Sequence, residues 1–247
     1  MLKIKGFMEK GIVIIPTYNE IENIEAIIRA VFSQAIAFDI LVVDDNSPDL
    51  TALKVKELQK EYSDRLFLLS RKEKSGLGTA YIDGFKWCLE KEYEYIFEMD
   101  ADFSHDPKDL IKLYEECHNQ GADMAIGSRY IKGVNVVNWP LSRVILSYVA
   151  SIYVRVITGM NIHDTTAGFI CYKRNVLESL DLDKIKFVGY AFQIEMKFKA
   201  YLKKFKIVEV PVIFTDRARG ESKLSSGIIS EAVFGVISLK LKSLFKK

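Results

Sequence analysis

YIFEMDADFSHDP, residues 95–107, is an apolar run that leads directly into two aspartates. Its first five residues predict a buried strand, and Asp106 with Pro107 predicts the start of the next helix, as N-cap and first helical residue. Asp100 and Asp102 would then lie at the carboxyl end of that strand, where open α/β sheets bind their ligands. Carboxylates two residues apart can reach one divalent cation, which takes its remaining oxygens from water and phosphate. The stretch therefore favours a metal and phosphate site over the solvated turn in which a D-x-D often occurs.

Short apolar runs alternate with helical patterns on both sides of this stretch. The predicted strands are residues 12–15, 40–43, 66–69, 95–99, 123–127, 169–172 and 206–214. Asn19 is expected to cap the first helix, and Ser47 and Pro48 are expected to begin the second. Pro211 predicts an edge or a bulge for the last strand. Unbroken apolar strands joined to helices by short connections predict an α/β fold of three layers, α/β/α, with a mostly parallel central sheet.

Polar residues follow each of the first five predicted strands, and a parallel sheet brings them to one edge. They are Thr17, Tyr18 and Glu20, Asp44 and Asp45, Arg71 and Lys72, Asp100 and Asp102, and Arg129. Part of this set is expected in any protein, because loops are polar and Asp, Asn, Ser and Pro are common at helix starts. That interpretation does not account for paired aspartates at two strand ends. A dinucleotide fingerprint is excluded because Tyr81 stands where its third glycine belongs, so Gly76 and Gly78 are expected to form a tight turn. No P-loop sequence occurs, and the three histidines show no metal-binding spacing.

The composition is that of a globular chain without a nucleic-acid signature. Its 247 residues are 49% hydrophobic, and a formal net charge of +2 is too small for a nucleic-acid footprint. Cys88, Cys117 and Cys171 are scattered, which predicts reduced, mostly buried thiols in a cytosolic protein rather than disulfides or a zinc site. The first ten residues lack the apolar core of a signal peptide, and no charge-free apolar run approaches the ~20 residues of a membrane span. We expect a soluble chain, or one that lies on a membrane surface.

Residues 139–157 predict an apolar helix with one polar ridge. The ridge consists of residues at i, i+4 spacing, namely Arg143, Ser147, Ser151 and Arg155. Either this helix is buried, with its arginines paired to acids, or it lies at a membrane edge and offers arginine and hydroxyl groups to an anionic head group. The residues alone favour neither interpretation.

Two later segments also have two interpretations each. Residues 215–223, TDRARGESK, form a basic loop that suits either a lid over phosphates or a solvated connection. Residues 226–247 predict a basic amphipathic helix that either lies on an anionic bilayer or packs on the body of the protein. The predicted organisation is one domain over residues 1–225, including the helix at about 139–158, followed by the terminal helix over 226–247.

Motifs along the chain resemble those of family 2 glycosyltransferases, which have the GT-A fold. In the first half they are PTYNE at 16–20, VVDDNSPD at 42–49, GLGTAY at 76–81, MDADFSHDP at 99–107 and GSRY at 127–130. In the second half NWPLSR at 138–143, DTTAGF at 164–169, GYAFQIEM at 189–196 and FTDRARGESK at 214–223 resemble polyprenol (dolichol) phosphate mannosyltransferases. The resemblance spans nearly the whole chain. It implies transfer of mannose from GDP-mannose to a polyprenyl monophosphate, with release of GDP and with Mg²⁺ or Mn²⁺ as cofactor.

The resemblance also implies roles for individual residues. It assigns the nucleotide to Pro16, Tyr18, Glu20, Val43, Asp45, Asp100, Ala101, Arg217 and Lys223; the metal to Asp100, Asp102 and Ser104; the acceptor phosphate to Arg143 and Ser147; and catalysis to Asp102, Arg129 and Asp164. The acceptor assignment favours the membrane-edge interpretation of the helix at 139–157. Asp164 is expected to orient the acceptor rather than to abstract a proton.

Three departures from the family pattern bear on these expectations. Ser104 stands where many relatives have Gln, and Tyr148 replaces a frequent basic residue. We also expect no counterpart of the membrane helices that some relatives carry, and therefore expect the basic tail or a small membrane-anchoring subunit to supply contact with the cytoplasmic face of a membrane.

Competing functions remain open on the sequence. The first is the same fold with UDP-glucose or UDP-GlcNAc as donor. The second is a phosphatase with Asp100 as nucleophile and Asp102 as acid. The third is a non-catalytic nucleotide-binding subunit of a membrane complex.

Overall fold

The computed structural model describes residues 10–216 and 226–245. The strands are β1 (Gly11–Thr17), β2 (Asp39–Asp44), β3 (Leu66–Ser70), β4 (Tyr95–Glu98), β5 (Met124–Ser128), β6 (Val136–Val137), β7 (Ile170–Lys173), β8 (Ile207–Pro211) and β9 (Phe214–Thr215). The helices are α1 (Ile24–Phe32), α2 (Thr51–Leu58), α3 (Leu77–Leu89), α4 (Asp109–His118), α5 (Leu141–Thr158), α6 (Arg174–Ser179), α7 (Tyr190–Leu202) and α8 (Ser226–Phe245), with a 3-10 turn at Leu182–Lys184.

Seven strands form the central sheet, in the order β3-β2-β1-β4-β7-β5-β8. β7 runs antiparallel to both of its neighbours, whereas the other pairings in the sheet are parallel. The predicted α/β fold with a mostly parallel sheet is therefore confirmed. β8 lies at an edge, as Pro211 predicts, but the single strand expected over 206–214 is divided. Its second part, β9, pairs with β6 in a separate two-stranded sheet.

Both faces of the sheet are covered by helices. Side chains of β1 alternate between two hydrophobic cores, so that Ile12 and Ile14 join the core beneath α3 and α7, and Val13 and Ile15 join the core beneath α1 and α4. The three cysteines are free and buried, as predicted.

The predicted helix starts are wrong at three places. α4 begins at Asp109 after an N-cap at Lys108, so Asp106 is not an N-cap and Pro107 is not the first helical residue; the Asp106 carboxylate accepts the Lys108 N–H at 3.0 Å within the turn before the helix. α1 begins at Ile24 and α2 at Thr51, so neither Asn19 nor Ser47 is an N-cap. Instead, the Asn19 N–H donates to Ser47 Oγ at 3.1 Å, which joins the loop after β1 to the loop after β2. Gly78 is likewise inside α3 rather than in a turn, and a Cβ there would lie 2.8 Å from the Phe187 carbonyl oxygen. This glycine lets α3 approach the segment before α7.

α5 and α8 pack against each other and leave much of their apolar surface exposed. The Tyr153 hydroxyl donates to the Val233 carbonyl at 2.9 Å, and the Lys240 ammonium donates to the Thr158 carbonyl at 3.0 Å. The large exposed hydrophobic side chains are Leu141, Ile145, Leu146, Tyr148, Val149, Ile152 and Val156 on α5 and Val233, Phe234, Ile237, Leu241, Leu244 and Phe245 on α8. Within the described ranges, α5 alone is long and apolar enough to cross a membrane, by length and composition.

Candidate active site

The topology of the sheet brings the predicted site residues to one edge. Six strands run in the same direction, so the residues after β1, β2, β4 and β5 lie at a common end. Because β7 runs the opposite way, the loop before it also reaches this end. Asp164 thereby meets Arg129, which lies 35 residues earlier in the chain.

The acidic pair lies directly after β4 and lines a cavity. Asp102 is almost buried, and its Oδ1 accepts a hydrogen bond from the Ser104 N–H at 3.1 Å. Asp100 lies on the same cavity wall. Ala101 packs between them into the hydrophobic core, so its side chain faces away from any ligand of the two carboxylates.

The donor set at this point fits a divalent cation shared with phosphate. Within residues 10–216 and 226–245, no group of three or more His, Cys, Asp or Glu side chains is arranged to hold a metal ion. The protein would therefore supply two carboxylates, and the Ser104 hydroxyl beside them is buried without a hydrogen-bond partner in those ranges. Hard oxygen ligands suit Mg²⁺ or Mn²⁺, whose remaining positions phosphate and water can fill.

His105 lies in the wall of the same cavity. The spacing of the histidines in the sequence did not assign it to any site. Its ring stacks on Phe169 at 4.8 Å between centroids and meets Phe214 edge-on at 5.3 Å. Burial lowers the pKa of His105 to about 4, against the opposing charge of Asp102. The ring is thus uncharged, and only its position beside the D-x-D could have indicated that it belongs to the site.

Arg129 and Asp164 form a buried bidentate ion pair. Arg129 Nε and Nη2 donate to the two carboxylate oxygens of Asp164 at 2.7 and 2.6 Å, and the Arg129 N–H donates to Oδ2 at 3.0 Å. Burial works to raise the pKa of Asp164, but the charge and hydrogen bonds of Arg129 outweigh it and hold that pKa below its ordinary value. Because both oxygens of Asp164 are engaged with Arg129, the pair suits orientation better than proton abstraction.

Glu209 on β8 supports this ion pair, and nothing in the sequence pattern singled it out. Its Oε1 accepts hydrogen bonds from Ser128 Oγ at 2.7 Å and from the Asp164 N–H at 2.8 Å. Its Oε2 accepts the His163 N–H at 2.7 Å. One buried carboxylate therefore joins the end of β5 to the loop that carries Asp164.

The adjacent acids Asp44 and Asp45 have different partners. Asp44 Oδ1 accepts from Thr17 Oγ1 at 2.9 Å and from Ser47 Oγ at 2.6 Å, so it joins the loops after β1 and β2. Asp45 Oδ1 accepts from Arg71 Nη1 at 2.6 Å. Burial raises the pKa of Asp45, and Arg71 opposes that rise. Asp44 shapes the edge, while Asp45 is held in place by Arg71.

The other residues predicted for the nucleotide are spread along this edge. Pro16, Tyr18 and Glu20 are partly exposed, and the Lys74 ammonium lies 4.2 Å from the centre of the Tyr18 ring. Val43 is completely buried in the core, so only its main chain could contact a nucleotide. The remaining two, Arg217 and Lys223, lie outside the described residues.

The cavity has a volume of about 410 Å³ and connects the acidic pair to α5 and α8. Arg143 and Ser147 line it, and Arg143 Nη1 donates to Asp216 Oδ1 at 2.9 Å. Much of the wall is apolar and comes from Leu146, Val149, Ala150, Tyr153, Val154 and Val233. The cavity thus combines anionic and cationic groups at the sheet edge with an apolar surface between two helices.

A buried polar network lies behind the cavity. Glu98 accepts hydrogen bonds from Gln193 Nε2 and, at 3.0 Å, from the Tyr172 hydroxyl. The Lys197 ammonium donates to the Ala167 carbonyl at 2.6 Å. Burial raises the pKa of Glu98 to about 7 and lowers the pKa of Lys197 to about 8. This network fixes Gln193 and Ala167, which both line the cavity.

Curated relatives are similar to this chain over most of its length. A polyprenol monophosphomannose synthase from Mycolicibacterium smegmatis is 46% identical, over 92% of this chain and 86% of that protein. An undecaprenyl-phosphate mannosyltransferase from Micrococcus luteus is 44% identical, over 90% of each. A dolichol-phosphate mannosyltransferase from Pyrococcus furiosus is 40% identical over 89% of this chain, which spans 60% of that longer protein.

The fold has solved counterparts with low sequence identity. A glucosyl-3-phosphoglycerate synthase from Mycobacterium tuberculosis, solved with Mn²⁺ and UDP, superposes with a TM-score of 0.67 at 16% identity, over 95% of this chain and 80% of that one. Residues 12–181 match the profile of Glycosyl transferase family 2. With the sheet topology, the acidic pair after β4 and these relatives together, the chain belongs to glycosyltransferase family 2 and is a glycosyltransferase of the GT-A fold.

Proposed function

We propose that this protein transfers mannose from GDP-mannose to a polyprenyl monophosphate, giving polyprenyl β-mannosyl phosphate and GDP. The observation that carries the proposal is the cavity, which joins an acidic pair to an apolar wall through Arg143 and Ser147. An acceptor that is both a phosphate and a lipid requires this combination of surfaces. The names of the curated relatives support mannose as the sugar and a polyprenyl phosphate as the acceptor.

The donor diphosphate is assigned to the acidic end of the cavity. Asp100 and Asp102, with the Ser104 hydroxyl, would hold a divalent cation, which when bound stabilises the negative charge that develops on the leaving diphosphate. Arg129 adds a fixed positive charge there, and its pairing with Asp164 means that it does not reorganise during the reaction.

The acceptor phosphate is assigned to Arg143 and Ser147. A phosphate monoester has a second pKa of about 6, so at neutral pH it is mostly a dianion and attacks without a general base. Asp164 then acts by holding Arg129, in agreement with its lowered pKa. The chemistry is a single in-line displacement with inversion at the anomeric carbon. An α-linked product in the NMR coupling constants of the isolated lipid would contradict it.

The exposed apolar faces of α5 and α8 support binding at a membrane surface, and we propose that this surface is the cytoplasmic face. They flank the apolar part of the cavity, so a lipid acceptor could enter without leaving the bilayer surface. A small membrane-anchoring subunit is a further candidate partner for these faces.

The proposal is tested by donor-dependent transfer to a short-chain polyprenyl phosphate. Radiolabelled GDP-mannose, UDP-glucose and UDP-GlcNAc are supplied separately with Mg²⁺, and label is counted in the organic phase. We expect label from GDP-mannose alone and its loss in Asp102→Asn. Asp106→Asn is the matched control, because Asp106 is an exposed acid four residues further on that bonds the Lys108 N–H.

Other outcomes lead to the competing functions. Label from a UDP-sugar would keep the reaction and change the donor. Covalent phosphate on Asp100 would indicate a phosphatase. Nucleotide binding without transfer from any donor would indicate a non-catalytic subunit.

A further inference from the structure

Trp139 lies between the two arginines that the proposed reaction uses. The guanidinium carbon of Arg143 lies 4.0 Å from the centre of an indole ring, and that of Arg129 lies 5.3 Å away. Both distances are within the range of cation–π attraction. One side chain therefore contacts the cation assigned to the acceptor phosphate and the cation assigned to the donor side.

The pairing of two short strands positions Trp139. Trp139 follows β6, and β6 pairs with β9, whose Phe214 meets the indole edge-on at 5.1 Å. The Asp216 N–H donates to the Val137 carbonyl at 2.9 Å, which extends this pairing by one residue. The carboxylate of the same Asp216 accepts from Arg143. The segment 214–216 therefore contacts both Trp139, through Phe214, and Arg143, through Asp216.

The guanidinium of Arg143 lies over the indole of Trp139, so this contact leaves the edge of the guanidinium available to other partners. An arginine binds carboxylates and phosphates through the N–H groups at its edge. In the structure, Asp216 takes one of these positions on Arg143. A phosphate that replaced Asp216 would meet a guanidinium already held by Trp139, and the indole face would also attract both arginines despite their like charge.

We propose that Trp139 is a positioning residue that holds Arg143 for the acceptor phosphate. This inference rests on the proposed function, since it assumes a phosphate acceptor at Arg143. It predicts that loss of the aromatic face weakens acceptor binding more than donor binding, because Arg143 lies closer to the indole than Arg129 does, and Asp164 still holds Arg129 by two side-chain hydrogen bonds.

The test is a substitution series in the transfer assay. Trp139→Leu should raise the KM for polyprenyl phosphate roughly tenfold and change the KM for the donor less than about twofold. Trp139→Phe keeps an aromatic face and should recover part of that loss. Trp87→Leu is the matched control, because Trp87 packs on Phe67 at 5.0 Å and does not line the cavity, so its acceptor KM should match the wild type.

A second measurement reports on binding without turnover. The sequence has two tryptophans, so Trp87→Phe leaves Trp139 as the source of indole fluorescence. A short-chain polyprenyl phosphate should change this emission, and the corresponding alcohol without phosphate should not.

The outcomes separate this inference from the proposed function. If the wild type transfers mannose and Trp139→Leu has a normal acceptor KM, the positioning role is wrong and the function stands. If Trp139→Phe and Trp139→Leu raise the acceptor KM equally, Trp139 acts through its packing volume rather than its aromatic face, and the inference also fails. Absence of transfer by the wild type from every donor contradicts the proposed function itself. Circular dichroism melting of each variant identifies any that fail to fold. In that case the fluorescence titration tests the inference, and an emission of Trp139 that does not respond to the polyprenyl phosphate would contradict it.

Discussion

Asp164→Asn tests the buried ion pair beneath the site. The substitution preserves the size of the side chain but leaves the guanidinium of Arg129, 7% exposed, without its anion. Removing one partner of a buried pair costs about 3–5 kcal/mol, since the remaining charge stays desolvated. An Asn oxygen in the place of Oδ2 can still accept two of the three hydrogen bonds that Arg129 donates, from its main-chain N–H and from Nε, so we expect a loss at the lower end of this range, about 3 kcal/mol. For a domain of this size, that corresponds to a fall in Tm of roughly 6–12 °C.

The measurement is urea unfolding followed by circular dichroism, arranged as a double-mutant cycle. Arg129→Met together with Asp164→Asn removes both charges, and the double variant should lose less stability than the sum of the two single variants. Glu61→Gln is the control, because its pair with Arg29 at 2.9 Å is exposed and should contribute nothing measurable.

The difference in free energy of unfolding between the wild type and Asp164→Asn should depend on pH in one direction. Since the pKa of Asp164 is lowered in the folded protein, its stabilisation is present above the unfolded value of about 3.9 and is lost as pH falls through the folded pKa. The difference between wild type and Asp164→Asn should therefore be constant from pH 5 to 8 and shrink in acid. A loss below about 1 kcal/mol at pH 7, or strictly additive single variants, would refute the reasoning.

Three further predictions concern the buried network, the sheet and the exposed helices. Because the pKa of Glu98 is raised in the folded protein, the folded state binds more protons than the unfolded state between about pH 4.5 and 7, and the free energy of unfolding of the wild type should fall as pH rises through that range. Glu98→Gln should abolish this pH dependence, which denaturant titrations at several pH values measure. Gly127→Ala should lose about 1–3 kcal/mol in thermal unfolding, because a Cβ there would lie 2.7 Å from an aromatic carbon, whereas at Gly168 the nearest atom is 3.5 Å away and Ala should be tolerated. Replacing both Phe234 and Phe245 by Ser should weaken sedimentation with anionic vesicles at least about tenfold, without a change in Tm, since both rings are exposed.

The sequence was sufficient for features that depend on neighbouring residues. Apolar runs bounded by turn-forming residues located the strands of the sheet, and the D-x-D at 100–102 was placed at a strand end by the strand before it. Helix starts were predicted less well. Asn19 and Ser47 have the chemistry of caps, but the Ser47 hydroxyl accepts the main-chain N–H of Asn19 from the other loop and donates to Asp44 in its own loop, so loop contacts use a group that local rules assign to a helix end.

The pairings that make the site depended on the tertiary structure. Arg129 meets Asp164 because β7 reverses its direction, and a strand's direction relative to distant neighbours leaves no mark on its own residues. Glu209 and Trp139 belong to strands and loops far along the chain, and each acts through partners that only the sheet pairing brings within reach. The sequence by itself determined the strands, the acidic pair and the class of enzyme, because those signals are local or shared with relatives. Only the folded chain decided which charges are buried together, because that depends on distances between segments that are remote in sequence.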